Sequence, residues 1–330
     1  LTDIDTPSGG IQDTTLDAPA LAEKILAAID DLVLGQRTAA EALLATYMAG
    51  GHALLEGVPG IGKTLLARTF AALLGLDFQR IQFTPDLMPT DVVGTNVFDR
   101  QTGAFRLVPG PVFTQILMAD EINRTPPKTQ SALLEAMQER QVTIDGERRE
   151  LDPGFLVIAT QNPLEFEGTY PLPEAQLDRF LTRIEMSLPE RGREIELYRR
   201  AVRGDLAGWS HDALPEPVVS RDEARALRHA SRSVHVSEDL LDYLARLAEA
   251  ARASEHLELA ISPRGALALL ETARAAAVLE GRDFVVPDDL KRFLEPCWRH
   301  RLILSAEAEL EGRSAGKILQ GIAGSVDVPK

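Results

Sequence analysis

The chain has 330 residues, a length that points to two domains and leaves one larger domain open. Hydrophobic residues make up 45% of it, which excludes wholesale disorder. Lys and Arg number 35 against 50 Asp and Glu, for a net charge of -15. Bare phosphate backbone repels such a protein, so non-specific nucleic-acid binding is not expected as its main work, although a local basic channel stays open. The single cysteine, Cys297, has no intrachain partner. The sequence has no run of 18 apolar residues and no basic-then-apolar leader, so the expectation is a cytoplasmic protein without a membrane segment.

Residues 1–16 are polar and acidic and read as a mobile tail. From Leu21 the apolar positions Leu21, Ile25, Ile29 and Leu32 recur at helical steps. A short apolar run at Ala53–Leu55 meets GVPGIGKT, after which helical periodicity runs to Gly75. Candidate strands at Arg80–Phe83, Ile116–Ala119, Phe155–Thr160 and Leu181–Ser187 alternate with helical segments. Short buried strands between helices predict a mostly parallel sheet covered on both faces. Two hairpins interrupt the alternation: Asn96–Asp99 with Ala104–Val108, and Gln141–Ile144 with Glu147–Leu151 around Asp145-Gly146. Beyond Pro189 strand runs vanish. Ser220 with Glu223, Ser237, and Ser262 ahead of Pro263 read as helix starts, as does Val286-Pro287-Asp288. With GVPGIGKT fitting the phosphate-loop pattern G-x-x-x-x-G-K-[ST], the fold class expected is an α/β P-loop NTPase (a parallel sheet flanked by helices) with two β-hairpin insertions, followed by a smaller all-α lid. Its boundaries are a tail at 1–16, a nucleotide-binding domain at 17–189 and a lid at 190–330.

Gly57-Val58-Pro59-Gly60-Ile61-Gly62-Lys63-Thr64, leading into Leu65, satisfies the phosphate-loop pattern G-x-x-x-x-G-K-[ST]. Glycines let backbone N–H groups converge on a phosphate, and the following helix presents its positive end there. Lys63 reaches the β/γ oxygens of ATP, and the Thr64 hydroxyl suits Mg²⁺. The bland alternative is a glycine turn with a solvated lysine; a strand before and a helix after argue against it. Ile116–Glu121 is an apolar run ending in two acids. Beside a phosphate loop, Asp120 would hold the Mg²⁺ shell and Glu121 would activate the attacking water, whereas an ordinary strand end would leave both solvated.

Three more residues are candidates. Asn162 follows a strand that ends at the same edge as Asp120, where it can orient water, or it is a turn residue before Pro163. Arg179 precedes the last strand and could reach a neighbouring subunit's γ-phosphate, or pair with a nearby acid. Arg264 lies in the first turn of the helix capped by Ser262, from which it would swing over the nucleotide, or it is a surface arginine.

Together these blocks resemble the AAA+ superfamily of ATPases and, within it, the MoxR family, over roughly residues 33–310. Besides LLEGVPGIGKT, the segments RIQFTPDLMPTDVVGT, PGPVF, ADEINRTPPKTQSALLEAMQERQVTIDG, ATQNPLEFEGTYPLPEAQLDRF and ISPR follow in that family's order. Val33-Leu34-Gly35-Gln36 looks like the segment that packs beside adenine. In family terms Asn162 matches sensor 1, Arg179 the arginine finger and Arg264 sensor 2. The resemblance implies an ATP- and Mg²⁺-dependent hexamer acting as a chaperone-like factor, with partners that often carry a von Willebrand factor type A domain. Gly265 departs from the alanine common after SPR, at small cost. The competing readings are a nucleic-acid motor, which the acidic balance disfavours, a magnesium-chelatase-like subunit, and a small-molecule kinase, which Glu121 and Arg179 oppose.

Overall fold

The computed structural model describes residues 17–161, 169–205 and 214–329. The tail expected at 1–16 therefore lies outside the described residues. In chain order the elements begin with helix α1 (Ala18–Leu32), α2 (Arg37–Met48), strand β1 (Ala53–Glu56), α3 (Lys63–Leu73) and β2 (Phe78–Gln82). There follow α4 (Pro89–Val93), hairpin strands β3 (Gly94–Asp99) and β4 (Ala104–Pro109), β5 (Ile116–Asp120) and α5 (Pro127–Glu139). A second hairpin, β6 (Gln141–Ile144) and β7 (Glu147–Glu150), precedes β8 (Leu156–Gln161), α6 (Glu174–Leu177) and β9 (Thr182–Glu185). The remainder is α7 (Arg191–Arg203), α8 (Arg221–Ala230), α9 (Glu238–Arg252), β10 (Leu257–Leu259), α10 (Pro263–Leu279), α11 (Pro287–Trp298), β11 (Ile303–Leu304), α12 (Ala306–Leu310) and α13 (Ala315–Ser325).

Five strands form one parallel sheet in the order β2-β5-β8-β1-β9. Its side chains alternate between two cores, as a two-residue period requires. Leu55, Met118 and Ile158 point to the face covered by α1, α2 and α3, while Leu54, Leu117 and Val157 point to the face covered by α5. The predicted hairpin turn is present, with Asp145 and Gly146 both at positive φ (50° and 85°).

One expectation about the C-terminal part needs correction. It is not free of strands: β10 and β11 pair antiparallel. It also shares a core with the N-terminal part. Leu227, Tyr243, Leu269, Phe293 and Trp298 belong to the same buried cluster as Ile25 of α1, Leu43 of α2 and the sheet residue Met118. The helices α8 to α11 therefore continue the hydrophobic layer begun by α1 and α2. The predicted caps hold: the hydroxyls of Ser220, Ser237 and Ser262 accept from Glu223, Leu240 and Gly265 N–H. Among the described residues no helix is long and apolar enough to cross a membrane.

Candidate active site

β1 is buried along its whole length, so its carboxyl end delivers the phosphate loop from a rigid base. Gly60 and Gly62 take φ of +80° and +98°, and nothing stands within 4 Å of where a Cβ would be. Backbone conformation, not crowding, demands glycine here. Gly62 also precedes α3 without a side-chain cap, and a helix start of this kind suits an anion. Lys63 Nζ donates to the Gly57 carbonyl, folding the lysine over the loop. Behind the loop, a Cβ on Gly57 would stand 2.9 Å from the Met186 carbonyl, which follows β9. That same stretch receives Val33–Gln36: Gln36 Nε2 donates to Ser187 O at 2.9 Å, and Gly35 (φ +77°) abuts Pro189. The expected adenine-side segment therefore borders the loop.

β5 places Asp120 and Glu121 at the carboxyl edge. Asp120 is almost enclosed, and both its oxygens are engaged. Thr160 Oγ1 donates to Oδ1 at 2.5 Å, and Arg80 donates to Oδ2 through Nη2 at 2.6 Å and Nε at 3.2 Å. Glu121 stands in the left-handed region (φ 55°, ψ 51°), a conformation that costs a non-glycine residue about 1 kcal/mol or more and must be held by its surroundings. The Glu121 N–H donates to Thr160 Oγ1 at 2.9 Å, and its carboxylate accepts from Gln82 Nε2 at 2.6 Å and pairs with Arg124 at 3.2 Å. One hydroxyl, on Thr160, thus sets both the acid that suits a metal and the backbone of the candidate base. Thr64 and Asp120 offer only oxygen, the donor chemistry a hard divalent cation takes. The glycine-rich loop and the helix start that follows it suit a polyphosphate.

Thr160, Arg80 and Gln82 were missed in the sequence reading. Their role depends on strand register, which the sequence alone does not show. Arg80 and Gln82 are two apart on one strand, and Gln82 lies opposite Asp120 in the register. Asn162 lies outside the described residues.

Arg179 and Arg264 come together far from the loop. Both line a cavity of about 290 Å³ with Gly50, Gly51 and His52, at the start of β1. Gly57 is six steps along the chain from Gly51, about 20 Å when extended. An arginine side chain cannot bridge that distance. Arg264 Nη1 lies 3.8 Å from Asp178 Oδ2, and the side chain is half exposed. Asp178 is held more tightly by buried Arg301, Nε to Oδ1 at 2.7 Å. Arg179 donates to the Leu134 carbonyl at 2.8 Å. Arg140 lines the same cavity and clamps its wall, donating to Gly50 O at 2.6 Å, Pro153 O at 3.0 Å and Phe155 O at 3.2 Å. His52 beside them is neutral, because burial pushes its pKa down to about 3. Its Nδ1 accepts from Val157 N–H, leaving Nε2–H to donate to Met137 O.

Similarity to known proteins agrees with this layout. Residues 52–182 match the ATPase family associated with various cellular activities (AAA), and residues 249–322 match the AAA lid domain. The chain is 43% identical to uncharacterized protein YeaC of Bacillus subtilis, covering 95% of this chain and 96% of that protein. It is 39% identical to chaperone MoxR1 of Mycobacterium tuberculosis, covering 99% of this chain and 87% of that one. Protein MoxR of Paracoccus denitrificans is 34% identical, over 86% of this chain and 88% of its own length. The crystal structure of a candidate ATPase from Cytophaga hutchinsonii superposes with a TM-score of 0.85 at 39% identity, covering 95% of this chain and 97% of that one. With the phosphate loop, the paired acids and the lid helices in place, the chain belongs to the MoxR family of AAA+ ATPases.

Proposed function

We propose that this protein hydrolyses ATP to ADP and phosphate at a site shared between subunits of a ring, and uses the cycle to remodel or activate a protein partner. The observation that carries the reading is the separation of two sets of groups. Gly57–Thr64, Asp120 and Glu121 sit at one end of β1, while Arg179 and Arg264 sit together at the other. Neither arginine reaches its own loop, which supports a role for each at a neighbour's.

Within one subunit the loop amides and Lys63 bind the phosphates, and Thr64 and Asp120 would hold Mg²⁺, which when bound would supply positive charge to the transferring phosphate. Glu121 takes the proton of the attacking water. Asn162, just past β8, completes the water's orientation. Across the interface Arg179 and Arg264 stabilise charge that develops on the γ-phosphate. Residues 17–189 form the nucleotide-binding part and 190–330 the lid.

A homo-hexamer in the cytoplasm, acting on a partner with a von Willebrand factor type A domain, is the fuller form of this reading. The first hairpin supports a protein client over nucleic acid. It exposes Val97, Phe98, Phe105 and Val108, with the two rings edge to face at 5.3 Å.

The test is complementation. Arg179→Ala and Lys63→Ala are each inactive alone, the first binding ATP and the second not. In verified mixed rings activity returns, because the Lys63 variant still supplies Arg179 to the other's intact loop. No gain in such rings sinks the shared site.

A further inference from the structure

The pairing of Arg80 with Asp120 has no place in the hydrolytic scheme above. β2 is the edge strand next to β5, and its register sets Arg80 opposite Met118 and Gln82 opposite Asp120. Met118 belongs to the core under α3, so Arg80, Gln82 and Asp120 share the face from which α3 brings Thr64. Arg80 therefore meets Asp120 on the same side as the phosphate loop. Its Nε and Nη2 both donate to Oδ2, and Thr160 takes Oδ1. Both carboxylate oxygens thus have donors, and the acid has a resident positive charge beside it. A carboxylate whose task is to hold a hydrated divalent cation is instead neutralised by a guanidinium 2.6 Å away. The two cations compete for one acid.

We infer that Arg80 is a displaceable counter-ion of Asp120, which a divalent cation must push aside, so that Arg80 sets how much free Mg²⁺ the site needs. This rests on the nucleotide-site reading above. The geometry provides the exit. The Arg80 side chain is 41% exposed against 12% for Asp120, so the arginine can swing into solvent while the acid stays. Its other partner, Gln82 Oε1 at 3.1 Å, belongs to an exposed residue and can keep the guanidinium once Asp120 is taken. With the cation absent, the pair spares Asp120 an unpartnered buried charge.

The experiment titrates free Mg²⁺ against binding of a fluorescent ADP analogue to the full chain, followed by anisotropy. Arg80→Gln keeps a hydrogen-bond donor and removes the charge. It should half-saturate at roughly five-fold lower free Mg²⁺, the equivalent of one partly exposed ion pair. Arg80→Lys keeps the charge and should stay within about two-fold of wild type on the same scale. The analogue's affinity in excess chelator, which reports the phosphate loop alone, should change little in either variant. An unchanged or higher Mg²⁺ requirement in Arg80→Gln, with the lysine variant folded and binding normally, overturns the inference and makes Arg80 a structural clamp. Failure of the wild type to bind the analogue at any Mg²⁺ concentration removes the nucleotide reading itself, and this inference with it.

Discussion

Thr160→Val tests how the site is held. The substitution is close to isosteric and the position is 1% exposed, so packing is preserved and only the hydroxyl goes. Two bonds vanish with it. Asp120 Oδ1 loses its donor at 2.5 Å, and the Glu121 N–H loses its acceptor at 2.9 Å. A hydrogen bond to a charged group contributes about 1.5–3 kcal/mol, and a stranded buried N–H costs about 1–3 kcal/mol. Glu121 is partly exposed, so the sum, which spans about 2.5–6 kcal/mol, should fall in its lower half, about 2.5–4 kcal/mol. That is a large share of a domain stability of about 5–15 kcal/mol, and it should be plain in urea unfolding. The catalytic effect should exceed the effect on binding. The left-handed backbone at Glu121 loses its tether, so the carboxylate no longer meets the water at a fixed angle, while the loop that holds the phosphates is untouched. Turnover at saturating ATP should drop about 10- to 100-fold, with the ATP dissociation constant within about three-fold of wild type. Thr160→Ser keeps both bonds and should restore most of the rate. If Thr160→Val matches wild type in both unfolding midpoint and turnover, the bridging role assigned to this hydroxyl is wrong.

Glu121→Gln should bind ATP normally and turn it over about 10²- to 10⁴-fold more slowly in a steady-state phosphate-release assay; normal turnover would place the base elsewhere. Arg264→Ala should leave nucleotide affinity of the dilute, monomeric chain unchanged by calorimetry and should lower turnover only in assembled protein. A large affinity loss in the monomer would restore the arrangement in which Arg264 serves its own loop. His52 gives a pH dependence. Its folded pKa, about 3, lies below the ordinary 6.5, so the unfolded chain binds the extra proton between those values. Its contribution is fully present above about pH 6.5 and is lost as pH falls toward 3, approaching about 1.4 kcal/mol per pH unit. Melting curves from pH 7.5 to 5 should fall less steeply for His52→Gln than for wild type; parallel slopes would show that His52 is not the group responsible.

The elements that local chemistry dictates were legible in the chain. Gly60, Gly62 and Gly146 announce turns because only glycine enters those conformations freely, and Ser220, Ser237 and Ser262 announce helices because a short hydroxyl satisfies a first-turn amide. Lys63, Thr64, Asp120 and Glu121 follow from motif and strand end alone, since the sheet places every parallel strand's carboxyl end on one edge. Tertiary structure decided what depends on distance in space. Thr160 reaches Asp120 across 40 residues, and Arg80 reaches it from the other side across another 40. Nothing local marks an unremarkable strand threonine or arginine as their partner. The same holds for the lid. Its helices are amphipathic in sequence, but an apolar stripe does not say which surface it will cover. Covering α1 and α2 carried Arg264 to the start of β1, away from its own phosphate loop and beside Arg179.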